Sequence, residues 1–379
     1  MIRLLLTQSL VVSVLFRRTV LRHGAAVVVG AALGMPSQAQ AFGIPVELFS
    51  GRSLTQFSCV GPFRVEEQEF AAGVWQISRQ GSQVVVSGGW GSAHRFSLPC
   101  RLFGGSLQGG RVYRGWIVIH AQGTGGLRLI NWLDLEDYVL GVVTAEMPPT
   151  WPEASLQAQA ILCRTRAYPY RQSISLAPSR WLLDSTQDQR YGGVGSEHPR
   201  GQEAVNRSRG QILTHAGDPI AVLYHSTCAG HTSANQLIFA PPPRPYLQGV
   251  PCPYCQASPF YQPYTLDLTF QQLENLFGSS HLTLVESDPW GRPVSIRAGS
   301  RIWSGQAWWR QVGSQMGWGV LPGNRLSWQP TDAGIRITAR GAGHGVGLCQ
   351  WGSRFLGEQG WDPQAILNHY LPGTRLQRV

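Results

Sequence analysis

Residues 135–149 read Leu135-Glu136-Asp137-Tyr138-Val139-Leu140-Gly141-Val142-Val143-Thr144-Ala145-Glu146-Met147-Pro148-Pro149, and the chain changes character here. The run predicts a helix over 135–146, because Met147-Pro148-Pro149 follows and proline cannot continue a helix. Upstream, from Pro45 to Ile130, short runs rich in β-formers (VELFS, FRVEE, GVWQIS, QVVVSGG, HRFSL, WIVIHA) alternate with glycine breaks, the pattern of a strand meander. Downstream, Pro152 suits the first turn of a second helix reaching about Tyr168. In it Leu156, Ala160, Cys163 and Ala167 share one apolar stripe. Further helices are expected over Phe270–Phe277, Gln350–Gln359 and Pro363–His369, with a strand-rich region from Leu282 to Ile337. The proline-rich stretch 241–245 reads as a loop. The fold class is therefore α+β: mixed β-sheets with a few short helices, a β-rich N-terminal part over 42–110 and the main segment over 111–379.

Bulk composition fits this reading. The chain has 379 residues, 43% hydrophobic and only 14% charged, enough apolar material for a sizeable core. Its 45 Gly and 25 Pro argue for many turns. The net charge is +10 and there is no lysine, so every cationic side chain of this count is arginine and lysine Schiff-base chemistry is excluded. The arginines are scattered rather than clustered, which argues against a nucleic-acid partner. A basic surface suits an acidic polymer, although genomic bias accounts for the arginines equally well. Arg17-Arg18-Thr19-Val20-Leu21-Arg22, the apolar run Ala25–Leu33 and the small-x-small site Ala39-Gln40-Ala41 have the layout of a secretory signal over 1–41. The paired arginines resemble a twin-arginine signal. No later stretch is apolar and long enough to span a bilayer, so an exported, periplasmic or wall-associated chain is expected.

Glu146 stands at the end of the apolar helix, beside Val143, Met147 and Trp151. A carboxyl in such surroundings is poorly solvated, its pKa rises, and it can act as a general acid. An exposed helix-end glutamate is the competing reading.

The segment 135–149, with Trp151-Pro152-Glu153-Ala154, Leu156-Gln157-Ala158-Gln159-Ala160 and Arg164-Thr165, resembles the sporulation stage II protein D (SpoIID/LytB) family. The resemblance continues through Asp188-Gln189, Tyr191-Gly192-Gly193, Ala204-Val205 and Tyr224-His225-Ser226. It resumes at Gly341-Ala342-Gly343-His344-Gly345-Val346-Gly347-Leu348 with Gln350-Trp351-Gly352, and closes at His369-Tyr370 and Pro372-Gly373. It implies a lytic transglycosylase on peptidoglycan, with Glu146 as the essential glutamate. One carboxylic acid then protonates the glycosidic oxygen between N-acetylmuramic acid and N-acetylglucosamine, and its carboxylate takes the proton of the sugar's own 6-hydroxyl. A hydrolase would need a second carboxylate, for which Asp188 is the nearest plausible group. The matched blocks supply Gln189, Arg164 and Gln350 as candidate substrate-binding residues. His344 is expected as a hydrogen-bonding partner of Glu146, and Tyr191 and Trp351 as sugar-stacking faces, with buried aromatics the alternative. The glycine block lacks the lysine of a nucleotide loop. Departures are Gln157 for the usual lysine, Cys163 for the usual alanine and Cys349 for the usual serine. Some members of the family modify a separate cell-wall amidase instead, which gives a non-catalytic alternative; zinc-dependent amidase chemistry is a third.

Seven cysteines are present: Cys59, Cys100, Cys163, Cys228, Cys252, Cys255 and Cys349. Cys252-Pro-Tyr-Cys255 and Cys228-Ala-Gly-His231 form two knuckles that together supply four ligands for a closed, structural zinc site. His225 is the alternative to His231, since the resemblance implies zinc binding in this region for some members. Export would instead permit a Cys252–Cys255 or Cys228–Cys252 disulfide, and Cys59 and Cys100 are candidates for another, though spacing does not fix the pairing.

Overall fold

The alternation of β-branched and aromatic residues upstream of Asp134 produces one long sheet. The structure, a computed structural model, describes residues 42–50, 52, 54–88, 93–239 and 241–379; the signal reading over 1–41 lies outside them. Nine strands come first: β1 Phe42–Leu48, β2 Gln56–Val65, β3 Gln68–Phe70, β4 Val74–Gln80, β5 Gln83–Gly88, β6 Ala93–Ser97, β7 Cys100–Leu107, β8 Trp116–Gln122 and β9 Gly126–Leu133. Two short strands, β10 Gln172–Ser173 and β11 Leu182–Leu183, later join β1, giving an eleven-stranded sheet in the order β10-β1-β9-β8-β7-β2-β4-β5-β6 with β11 on β1 and β3 on β2. The sheet continues across residue 110 without a break. One face carries Ile44, Val46, Ile77, Val84, Val86 and Ile119 into the main core. The other buries Val118, Ile130 and Trp132 under Ile174 and Trp181 of the later loop. Cys59 faces Leu107 and Cys100 faces Ile119, seven residues apart along β7, or roughly 20 Å. That separation rules out the Cys59–Cys100 disulfide, and both thiols are free.

Asp134 then caps α1 Leu135–Glu146 by accepting the Glu136 N–H at 2.8 Å. After Trp151 and Pro152, α2 Glu153–Ala167 runs through the core against α1, α3 Pro199–Arg207, α7 Gln350–Glu358, α8 Pro363–Tyr370 and β12 Gln211–His215. The apolar stripe expected on α2 is buried, and so are Gln159, Arg164 and Thr165, because the helix is enclosed on all sides.

The remaining elements are β13 Asp218–Pro219, β14 Tyr224–His225, β15 Gly230–His231, α4 Asn235–Ile238, β16 Pro251–Cys252, β17 Tyr264–Thr269, α5 Phe270–Phe277, β18 Leu282–Ser287, β19 Pro293–Ala298, β20 Arg301–Ser304, α6 Gly305–Met316, β21 Arg325–Thr331, β22 Gly334–Arg340, β23 Leu348–Cys349 and β24 Arg375–Arg378. Strands β17–β22 with α5 and α6 enclose a second core of Leu273, Phe277, Ile296, Trp308, Val312 and Ile337. The region expected to be strand-rich thus contains a helix, α6, as well. Ser304 caps it and Trp308 and Val312 share its buried face, but Gly305 and Gly313 lower its helix propensity. Gly305 is there for space, since a Cβ would lie 1.8 Å from the Pro293 carbonyl oxygen. The fold is α+β throughout, and among the described residues no helix is long and apolar enough to cross a membrane.

Candidate active site

Helix α1 ends at Glu146 because the Met147 N–H closes on Val143 O and the prolines follow. The carboxyl is half-buried, and its Oε1 accepts the Arg190 backbone N–H at 2.6 Å. The Tyr224 hydroxyl is a further polar neighbour of the carboxyl. Burial raises the Glu146 pKa above the usual range, and these two groups together with the Arg190 charge oppose the rise. The end of a helix also disfavours a negative charge.

The loop that brings Arg190 here is fastened to α1 through Gly141. The Tyr191 ring packs where a Gly141 Cβ would sit, 2.6 Å away, and the Gly141 carbonyl accepts from Gly192 N–H at 3.1 Å and Ser196 Oγ at 2.7 Å. From the other side, Gln350 at the start of α7 donates to the Glu146 carbonyl at 3.3 Å and to Gln159 Oε1 at 3.5 Å. The Cys163 thiol lies beside Gln159 and Gln189, close to Glu146, and burial pushes it up to about 12.

The other candidates distribute unevenly. Gln189 and Gln350 belong to the polar layer around Glu146 and are buried. Trp351 is partly exposed, meeting Trp151 edge-on at 5.1 Å with the Arg354 guanidinium 5.0 Å from its ring. Tyr191 is only 4% exposed and its hydroxyl donates to Asn131 at 2.9 Å, so it has no free face for a sugar. His344 does not bond to Glu146 among the described contacts. Its Nδ1 accepts from Val346 N–H at 3.1 Å, while burial lowers its pKa to about 4. Asp188 is engaged by the Arg166 guanidinium and by Leu183 N–H at 2.9 Å, which fixes the loop rather than freeing a second carboxylate.

Arg164 is 0% exposed and lies within α2. Its guanidinium grips Glu136 with two bonds of 2.8 and 2.6 Å and donates to Gln211 O at 3.1 Å, so it serves the fold and not a ligand. Arg164→Met should cost about 3–5 kcal/mol of stability by leaving Glu136 without its partner. Chemical denaturation checks this; an unchanged midpoint would show the pair to be dispensable. Sequence reasoning missed Tyr224 and Arg190 as site residues, although both sit inside or beside quoted motifs.

The second cluster is formed by Cys228, Cys252, Cys255 and Cys349, all buried, with their sulfurs within 4.8 Å of one another. Cys349 takes the place expected for His231. Gly230 pairs with Cys252 and His231 with Pro251, so strand alternation sends His231 to the opposite face. There its ring stacks on Trp290 at 3.5 Å and its Nδ1 bonds Thr232 O at 2.5 Å. His225 is also outside the cluster, its Nδ1 on Val346 O at 3.1 Å. Cys349 arrives because β14 and β23 pair in parallel, His225 against Cys349. The cysteines are free, and the Cys228–Cys255 sulfur separation of 3.7 Å is no disulfide. It matches the roughly 3.8 Å edge of a tetrahedron with Zn–S bonds of 2.3 Å. The Tyr370 hydroxyl at 3.1 Å from Cys252 Sγ and the Cys228 N–H at 3.4 Å from Cys349 Sγ are the outer contacts a thiolate cluster requires. The donor set fits a closed, structural metal.

A family model described as Stage II sporulation protein (SpoIID) matches residues 123–215, which hold α1, α2 and the Gln189–Arg190 loop. The chain is 31% identical over 251 residues to an uncharacterized protein of Brachyspira hyodysenteriae, covering 65% of this chain and 67% of that one. It is 29% identical over 267 residues to the stage II sporulation protein D of Bacillus subtilis, covering 65% and 75%. Similarity to the amidase enhancer of Bacillus subtilis is 22% over 301 residues, covering 62% of this chain but 40% of that protein.

Proposed function

The chain belongs to the stage II sporulation protein D (SpoIID) family, and from that premise we propose that it is a lytic transglycosylase acting on peptidoglycan glycan strands. The observation that carries the proposal is a half-buried carboxyl of raised pKa at the end of α1, while the nearest candidate for a second carboxylate, Asp188, is engaged by Arg166 and Leu183. Glu146 gives its proton to the oxygen linking N-acetylmuramic acid to N-acetylglucosamine as the C1–O bond breaks. The resulting carboxylate accepts the proton of the 6-hydroxyl, whose oxygen bonds to C1 and closes a 1,6-anhydro ring. No water is consumed, and the proton returns to Glu146 for the next turnover. Gln350 and the Arg190 N–H hold the helix end and the carboxyl in place. Trp351 and Arg354 offer the partly exposed aromatic and cationic surface beside it.

A second reading, a wall-binding modifier of a separate amidase, is favoured by the similarity to the amidase enhancer. Purified glycan strands separate the two. The transglycosylase releases fragments with anhydro-muramic ends unaided, whereas the modifier cuts nothing alone and accelerates an added amidase.

Residues 1–41 as an export signal and the basic net charge of +10 accord with an anionic wall outside the cytoplasm. Within the exported chain we assign 42–110 as the β-rich N-terminal part and 111–379 as the catalytic part, the two sharing one continuous sheet. Zinc is the metal we assign to Cys228, Cys252, Cys255 and Cys349. With four protein ligands it would brace the fold and leave no open position for chemistry.

A further inference from the structure

Helix α7 starts at the carboxyl-bearing end of α1, where its first residue, Gln350, donates to the Glu146 carbonyl. Along the same helix lies more aromatic surface than the bond-breaking step uses. The Trp351 ring is already engaged by the Trp151 edge and the Arg354 guanidinium. One turn on, Phe355 emerges on the same side of α7 and is 38% exposed. The back of the helix is pressed onto the cysteine cluster at Gly352, where a Cβ would lie 2.7 Å from Cys252 Sγ and 2.0 Å from the Tyr370 hydroxyl oxygen. That close approach brings the Cys252–Cys255 turn alongside α7. The Tyr254 ring of this turn stacks on Phe355 with centroids 5.7 Å apart and planes 16° from parallel. His369 of α8 meets Tyr254 edge-on at 5.5 Å and Trp361 edge-on at 6.2 Å, and its Nε2 bonds Pro251 O at 3.0 Å. Trp361 is exposed, whereas Tyr254 and His369 are half-buried. Two exposed rings joined through two half-buried ones make a contiguous surface, unlike the isolated exposed apolar side chains found on any protein. Flat rings rimmed by hydrogen-bonding groups suit a pyranose, whose C–H face packs on an aromatic while its hydroxyl and acetamido groups point to the rim. The continuity of α7 with Glu146 selects the glycan strand as the occupant.

We propose that Phe355, Tyr254 and Trp361 form a saccharide-binding subsite that holds the glycan strand beyond the bond cut at Glu146. The inference rests on the glycan-strand reading of the chain. It gives the cysteine cluster a part in substrate binding, since the turn that carries Cys252 and Cys255 also presents Tyr254. A contact remote from the reacting bond is made equally in the ground and transition states, so its loss raises KM and leaves kcat alone.

The test uses glycan strands freed of stem peptides and sorted by length. Phe355→Ala and Trp361→Ala should each raise KM for long strands by about tenfold with kcat changed less than about twofold. Short fragments that reach only the bond to be cut should be cleaved as by wild type, and Phe355→Trp should keep the wild-type KM. Both rings are exposed, so the variants should keep the fold, which circular dichroism checks. Calorimetric binding of the same strands to Glu146→Gln protein, with and without each change, reads the subsite in the absence of cleavage. Strand affinity unchanged in both folded variants overturns the proposal; if stimulation of an added amidase is then lost, the face docks a protein instead. An equal loss on short and long substrates overturns it too. Strand binding through this face by a chain that cuts nothing counts against the acid/base reading alone, because affinity decides the subsite in either case.

Discussion

Glu146→Gln should lower glycan-strand cleavage by about a thousandfold or more while leaving the protein folded. General acid or base assistance is worth roughly 10²–10⁴ in rate, and in the proposed mechanism the same carboxyl serves both halves of the reaction. Glutamine preserves the shape and an acceptor oxygen for the Arg190 N–H, so the contact that holds the carboxyl survives the change. The pH dependence sharpens the expectation. The acid must be protonated to start the reaction, so the wild-type rate is sustained at low pH and declines as pH rises through the elevated Glu146 pKa. The residual rate of Glu146→Gln should lack that decline. Initial rates across a pH series, with circular dichroism as the fold control, check both points.

Cys349→Ser should reduce bound zinc well below one equivalent and lower the thermal midpoint by about 10 °C or more. The substitution is informative because Cys349 is also the N-cap of α7 without a side-chain cap bond, and serine is a better cap than cysteine. A loss of stability would therefore report the missing ligand and not a damaged helix start. The effect should be large because the cluster ties three separate segments together: the Cys228 knuckle after β14, the Cys252–Cys255 turn and the β23–α7 junction. Strong chelation of the wild-type protein should reproduce the shift, and Cys100→Ala, outside the cluster, should leave the zinc content intact. Metal analysis with differential scanning calorimetry measures both. A chain that never carries zinc, or a Cys349→Ser variant as stable as wild type, would remove the structural role.

Much of this architecture was legible in the sequence because it depends on local rules. The Met147-Pro148-Pro149 stop placed the end of α1 and therefore Glu146, and Phe270–Phe277 is the observed span of α5. What was not legible depends on pairings between distant strands. The spacing of Cys228 and His231 offers a knuckle, but only the Gly230–Cys252 register shows that His231 faces away. Cys349 joins the cluster across more than a hundred residues through the two-residue pairing of β14 with β23. Burial was the other hidden variable. Tyr191 is sealed against Gly141, while the Tyr224 hydroxyl accepts from Gln189 in the buried polar layer near Glu146. Arg164 was a candidate ligand-binding cation through its matched block, and Glu136, one helix away, is what makes its burial tolerable.

The most direct test of the account is digestion of purified glycan strands in water enriched in oxygen-18, followed by mass spectrometry of the new ends. Ring closure by the sugar's own 6-hydroxyl predicts anhydro-muramic ends that carry no oxygen-18. Reducing ends labelled with oxygen-18 would show that water is the nucleophile, and would contradict the assignment of Glu146 as the sole acid and base of a transglycosylase.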